Sequence, residues 1–237
     1  MPMANDDLTK GVCSCGESTV ADQILEYCSK IWDGFHSHPF VLGIANGTLD
    51  KEKFKYFMIQ DYLYLLDYAK VFSIGTAKAR NPEVLKAFSA YVDQIMDGEL
   101  DIHRGYMKRL GIRQEEAEGA EMALDNLSYT SYMIREAYEG GPAEICAAIL
   151  PCAVSYEVIA KKMVEDDQAC VEHPFYGEWI RGYADPGYHA ANEELKALTN
   201  LLTKDYSPAQ IEYLLKIGER CSRYEGAFWD MSWELRP

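Results

Sequence analysis

Apolar residues recur at helical spacing along almost the whole chain. From Thr19 to Trp32 they fall at Val20, Ile24, Tyr27 and Ile31, an i, i+4, i+7 stripe that turns one face inward. Ser37-His38-Pro39 and Ala45-Asn46-Gly47 interrupt the pattern. Thr48 to Glu52 then opens a long helix to about Arg80, stopped by Asn81-Pro82. Pro82 suits the first turn of the next helix, Glu83 to Leu110, which Gly111 ends. Leu124 to Tyr138 follows and closes at Gly140-Gly141. Pro142 starts a segment to about Asp166, and His173-Pro174 opens a short helix to Tyr183. After Pro186-Gly187 comes Tyr188 to Leu202. Ser207-Pro208 reads as a cap with proline at the first helical position, leading toward Trp233. No alternating stretch bounded by hairpin turns is visible, so strands are not expected. The pattern predicts about eight helices with short connections: one all-α, single-domain helical bundle over residues 19–237, behind a flexible extension of residues 1–18.

Composition narrows the function more than the fold. The 237 residues are 48% apolar, 26% charged and 12% aromatic, which is globular rather than disordered. No apolar run approaches the ~20 residues of a membrane helix, and the N-terminus has neither the basic nor the apolar part of a signal peptide. An intracellular, cytoplasmic protein is expected. Lys plus Arg number 23 against 38 Asp plus Glu, a net charge of −15. Such a chain repels phosphate backbones and anionic lipid, so neither nucleic acid nor membrane is an expected partner. The seven cysteines are an odd, scattered set in a chain too large to need staples, which does not read as a disulfide scaffold. Cys13 and Cys15, near Cys28, lack the further ligands of a zinc site and read as thiols of a mobile tail.

Chemistry concentrates in a few places. Pro151 sits well inside a strong helical pattern, where it cannot donate to the carbonyl of Ala147 and is expected to kink the helix, a break that costs ~3 kcal/mol. Cys152 comes next, with Tyr156 one turn further on the same face. The plainer reading of that thiol is a core residue, and burial would raise its pKa, so a nucleophilic role needs a base nearby. Two helices offer carboxylates set among aromatics: Asp61 with Tyr64 and Asp67, and Glu225 with Tyr224, Phe228 and Trp229. Metal chemistry has less support. Not one Glu-x-x-His motif occurs, and the pair Glu99 and His103 at i, i+4 reads as a structural hydrogen bond. Phosphate-binding glycine motifs and the G-x-S-x-G elbow are missing as well.

Taken in order, these pieces resemble the thiaminase II family, the TenA-type aminopyrimidine aminohydrolases. They are F-x-x-F-x-x-Q-D-Y-x-Y-L at Phe54 to Leu65, G-E-x-x-x-H at Gly98 to His103, and Y-T at Tyr129. L-P-C-x-x-x-Y at Leu150 to Tyr156, W-x-x-x-Y at Trp179 to Tyr183 and E-x-x-F-W at Glu225 to Trp229 follow, in register over about residues 20–234. The resemblance implies a fold similar to haem oxygenase without haem, assembled as a homotetramer. It implies hydrolysis of 4-amino-5-aminomethyl-2-methylpyrimidine to the hydroxymethyl pyrimidine, and cleavage of thiamine at its methylene bridge, in thiamine salvage. Cys152 places the chain in the branch of the family that carries a cysteine. The first twenty or so residues match nothing in the pattern.

By that resemblance Cys152 is the nucleophile and Glu225 the general acid/base. Asp61 would hold the aminopyrimidine edge, Tyr129, Tyr156 and Tyr183 would orient the thiol and the ring, and Tyr64 and Phe228 would sandwich the ring. The chemistry is coherent: a thiolate adding to an electron-poor ring pushes electrons toward the exocyclic methylene and expels the amine or thiazole, and water then takes its place. No metal or organic cofactor is required. Two rivals stand beside it. One is a haem, di-iron or cofactorless redox enzyme on the same bundle, with His36, His38 or His103 as ligands. The other is a non-catalytic, pyrimidine-binding regulatory module, for which a nucleophile would be superfluous.

Overall fold

The polar residues flagged as punctuation do cap the helices. A computed structural model describes residues 18–237, so the expected tail, with Cys13 and Cys15, lies outside the described residues apart from Ser18. Eleven α-helices are present among the described residues, with no strand. Thr19 accepts the Asp22 N–H at the start of α1 (Val20–Trp32), and His38 caps the short α2 (Pro39–Ala45). Asp50 accepts from Glu52 at the head of α3 (Lys51–Lys78), and Asn81 caps α4 (Pro82–Asp93) with Pro82 in its first turn. α5 (Leu100–Leu110) stops at Gly111, whose φ of 70° is left-handed, and α6 (Gln114–Glu118) is one short turn. Then come α7 (Leu124–Glu139), α8 (Pro142–Asp166), α9 (Gly177–Ala184), α10 (Pro186–Thr203) and α11 (Pro208–Glu234). Ser207 and Gln210 form a reciprocal capping box at the head of α11.

Two departures from the periodicity matter. The single helix expected over Glu83 to Leu110 is α4 and α5 joined through a π-helical turn, Gln94–Glu99. A wider turn of this kind inserts an extra residue and rotates everything beyond it about the axis. The helix expected from His173 begins only at Gly177, after a 3₁₀ turn at Gln168–Glu172. There the His173 ring accepts the N–H groups of Phe175 and Tyr176, offering the backbone an alternative to the helical ladder. Pro151 lies inside α8, which continues through it to Asp166 as the pattern from Pro142 led one to expect. The freed Ala147 carbonyl faces Gly218 of α11, where a Cβ would stand 3.6 Å from that oxygen.

Helix α8 is the hub of the bundle, with α1, α3, α7, α9, α10 and α11 packed around it. Composition alone would let it span a bilayer, which the reading of the sequence did not flag. In the fold, 72% of its apolar stretch is buried among these neighbours. Ala143 to Pro151 of this helix are almost entirely buried, and Cys146 and Cys170 behave as core thiols. An aromatic layer of Phe40, Phe54, Phe57 and Trp229 fills the space between α2, α3 and α11. Close approach is secured at Gly75 of α3, where a Cβ would fall 2.3 Å from the ring of Phe88 on α4. Gly75→Ala should therefore destabilise the fold by about 1–3 kcal/mol through overpacking, seen as a lower urea midpoint with unchanged slope. An unchanged midpoint would mean that α3 and α4 separate at little cost.

Candidate active site

Helical spacing places the chemistry. On α3, Asp61, Tyr64 and Tyr68 share a face at i, i+3 and i+7. On α8, Cys152 and Tyr156 share another. These two faces meet and, with Tyr183 of α9, Tyr188 of α10 and Glu99 of the π turn, enclose a small inner chamber of about 30 Å³. Five of its lining residues, Tyr68, Glu99, Ala153, Tyr183 and Tyr188, also line an outer cavity of about 420 Å³. Phe72, Tyr91, Ile95 and Trp179 give that outer space its apolar walls. The inner chamber has room for a couple of waters, at ~10–15 Å³ for each. A flat six-membered ring reaches it only if the shared tyrosine wall yields.

Behind the inner chamber lies a second layer. Tyr129 of α7 donates its hydroxyl to Glu225 Oε1 at 2.7 Å, deep in the core, and the Cys152 thiol lies on the same carboxylate. Glu225 is only 2% exposed and lines neither cavity. Burial pushes its pKa up to about 7, against the Tyr129 and Cys152 hydrogen bonds, and Asp61 pushes it further. Burial also raises the Cys152 thiol well above its ordinary range, with the Glu225 charge adding and the Tyr64 hydroxyl opposing. The resting sulfur is thus a thiol, beside a carboxyl poised to exchange a proton near neutral pH.

Gln60, next to Asp61 in the same motif, ties α3 to the entry of α7. Its side chain accepts the Ala123 N–H at 3.0 Å and donates to Glu121 O at 3.0 Å, while Asn126 reaches its carbonyl at 2.7 Å. This clamp sets the register that brings Tyr129 to Glu225. His103 fixes Asp61: its Nε2 lies 2.5 Å from Asp61 Oδ2 and its Nδ1 lies 2.9 Å from the Glu99 backbone carbonyl. Both partners are acceptors, so the ring is held with both nitrogens protonated. Burial opposes that charge most strongly, yet Asp61 and Glu99 together leave the His103 pKa raised.

The sequence-derived residues fall into two groups. Asp61, Tyr64, Cys152, Tyr156 and Tyr183 line the inner chamber, and Tyr129, Glu225 and Phe228 back it. The expected sandwich is not present. Tyr64 and Phe228 meet edge to face, with centroids 6.0 Å apart at 68°, and leave no slot for a ring between them. The structure puts Tyr68 and Tyr188 on the wall instead. The Glu99–His103 hydrogen bond exists but uses the main-chain oxygen of Glu99, whose side chain turns to the chamber. Sequence reasoning therefore missed Glu99 as a site residue, although its G-E-x-x-x-H motif pointed there. Of the histidines proposed as metal ligands, His103 and His38 are otherwise engaged. Both ring nitrogens of His103 are bonded, and His38 spends its own on the Phe40 N–H and on Asp230.

Because Glu225 has its folded pKa above its unfolded one, its contribution to stability is present at low pH and is lost as pH rises toward 7 and beyond. Glu225→Gln should melt higher than the wild type at pH 8, with the gap shrinking as pH falls toward 4. An equal shift at both ends of that range would show that the carboxyl is not held neutral by burial.

Residues 26–235 match the TENA/THI-4/PQQC family. An aminopyrimidine aminohydrolase of Helicobacter pylori is 41% identical over 215 residues, covering 91% of this chain and 99% of that protein. A solved TenA homologue from P. horikoshii OT3 superposes with a TM-score of 0.82 at 26% identity, over 91% of this chain and 99% of the other. A Shewanella denitrificans OS217 domain with a heme oxygenase-like fold superposes at 0.71, with 11% identity over 90% and 91% of the two chains, and shows the shared fold.

Proposed function

The chain belongs to the TENA/THI-4/PQQC family, and from that membership and the two-layered chamber we propose that it is an aminopyrimidine aminohydrolase. It hydrolyses 4-amino-5-aminomethyl-2-methylpyrimidine to the hydroxymethyl pyrimidine and ammonia, cleaves thiamine at the same methylene, and works in thiamine salvage. The observation that carries this reading is the thiol of Cys152 set between the Tyr129–Glu225 pair and the chamber that Asp61 lines. The 41% identical relative of the same name supports the substrate class. The resemblance supports a cytoplasmic homotetramer.

The chemistry follows the layers. Tyr129 occupies Oε1 of Glu225, leaving Oε2 to take the Cys152 proton as the sulfur adds to the ring carbon. The ring carries the added electron pair until the C–N bond at the methylene breaks; the bond's pair goes to nitrogen, which takes the proton held by Glu225 and leaves as ammonia. Water adds to the exposed methylene and gives its proton to the Glu225 carboxylate, the ring expels the sulfur, and Glu225 returns that proton to it. Asp61, held by His103 through Oδ2, keeps its second oxygen for the amino group of the pyrimidine. The chamber walls exclude water around the thiolate, which strengthens every charge interaction there. The ring enters by displacing the shared wall of Tyr68, Tyr183 and Tyr188.

Cys152→Ala and Cys152→Ser should abolish formation of hydroxymethyl pyrimidine, followed chromatographically, while the protein still folds and binds the pyrimidine. Full turnover by either variant would remove the mechanism. Glu225→Gln should lower kcat by about 10²–10⁴-fold with a smaller effect on KM. A change confined to KM would make Glu225 a binding group only.

A further inference from the structure

Glu157 is a buried carboxylate that the mechanism does not use. It follows Tyr156 on α8, is 6% exposed, and lines neither cavity. Unlike Glu99 and Glu225 it is held ionised. Burial, the largest influence, pushes its pKa up, but hydrogen bonds from Lys161, Asn192 and His189 outweigh it and leave the pKa lowered. A permanent charge exchanges no proton near neutral pH, so what Glu157 supplies is its charge-assisted hydrogen bonds.

Those bonds converge on the head of α10. His189 Nδ1 lies 2.6 Å from Glu157 Oε1, where Lys161 also reaches, and Asn192 donates to Oε2 at 2.6 Å. Beside them sits Tyr188, which lines both cavities and donates its hydroxyl to the Ala153 carbonyl at 3.0 Å. Asn192 reaches that same carbonyl at 3.3 Å, and Ala153 follows Cys152 directly. The three polar side chains at the head of α10, Tyr188, His189 and Asn192, are thus all fastened to α8 beside the sulfur. Tyr183, near the end of α9, packs edge to face on Tyr188 with centroids 5.1 Å apart, so the α9–α10 corner carries both tyrosines as a unit. The outside of that corner is exposed at Arg181, Gly182 and 185–187, and an added Cβ at Gly182 would meet nothing within 4 Å. Solvent, not core, lies behind it.

We propose that Glu157 is a positioning residue of this site: it fastens the α9–α10 corner over the inner chamber, and release of its bonds to His189 and Asn192 lets Tyr183 and Tyr188 swing out and the pyrimidine ring in. The identity of the ring rests on the aminohydrolase reading; the motion does not. With the corner closed the chamber measures about 30 Å³, so a closed wall and an entering ring exclude each other. Once the ring reaches Cys152, the Glu157 bonds re-form behind it with the tyrosine rings turned out of the space it fills. Closure then restores the water-poor surroundings in which charge interactions at the sulfur are strong.

Two sets of rates test this. Alkylation of Cys152 by iodoacetamide, located by peptide mass, reads opening of the chamber, and alkylation of the buried Cys146 earlier in α8 reads opening of the whole helix. The carboxylates acting on the Cys152 thiol are Glu225, Glu99 and Asp61, so a change at Glu157 alters access to the sulfur and not its ionisation. Glu157→Gln offers one acceptor where two donors meet. It should speed alkylation of Cys152 by about tenfold or more, the effect of losing a hydrogen bond to a charged group, and leave Cys146 unchanged. His189→Ala, at the exposed end of the same contact, should give a smaller rise and serves if Glu157→Gln fails to fold, and Glu157→Asp should recover part of the slow rate. In stopped-flow with the non-reacting Cys152→Ser protein, adding Glu157→Gln should raise the association and dissociation rates of the aminomethyl pyrimidine together and leave Kd nearly unchanged. Unchanged alkylation of Cys152 in the folded variants, equal acceleration at Cys146, or a faster dissociation alone would overturn the assignment. A Cys152→Ser protein that binds no pyrimidine would overturn the aminohydrolase reading, while the alkylation rates would still decide the role of Glu157.

Discussion

Desolvation of acids is the constraint on which this structure turns. A thiol and three carboxyl groups, Cys152, Asp61, Glu99 and Glu225, influence one another inside an apolar bundle, and the His103 imidazolium is the cation set among them. Glu99 and Glu225 would each be easier to ionise in water. Holding them together leaves Glu99 and Glu225 near neutral-pH values and the thiol protonated, which is the opposite of what stability alone would favour at high pH. Perturbed groups gathered in a cleft are where function is expected.

The bundle exists to make that arrangement rigid. Helix α8 brings the thiol into the centre, and the helices around it supply one or two polar groups each: α3 the aspartate, α7 the tyrosine that holds Glu225, and α11 Glu225 itself. The Gln60 clamp locks α3 to α7, and the aromatic layer around Phe57 and Trp229 locks α3 to α11. Trp229 in turn packs on Tyr156 with centroids 5.1 Å apart, so the core layer and the chamber wall are one continuous stack. On the other side Tyr68, Tyr183 and Tyr188 line both cavities.

Much of this was legible in the sequence because helices convert spacing into direction. Asp61 with Tyr64, Cys152 with Tyr156, and Glu225 with Phe228 sit three or four residues apart, and each pair shares a face in the structure. The fold class followed from the same periodicity and from the capping residues. What spacing could not convey was any departure from 3.6 residues per turn. The π turn at Gln94–Glu99 rotates Glu99 into the chamber, and nothing in the apolar pattern of Glu83 to Leu110 marks it. Angles between rings on different helices were equally hidden, which is why Tyr64 and Phe228 read as a sandwich yet meet edge to face. His173 delayed α9 through side-chain hydrogen bonds that a helical pattern does not reveal.

The central claim is spatial: the pyrimidine ring occupies the inner chamber against the sulfur, although that chamber measures only about 30 Å³ before the tyrosine wall moves. A crystal structure of the Cys152→Ser protein soaked with the aminomethyl pyrimidine tests it most directly. The account predicts the ring beside residue 152, its amino group on Asp61, and Tyr68, Tyr183 or Tyr188 displaced. A ring lying wholly within the outer cavity, out of contact with residue 152, would contradict it.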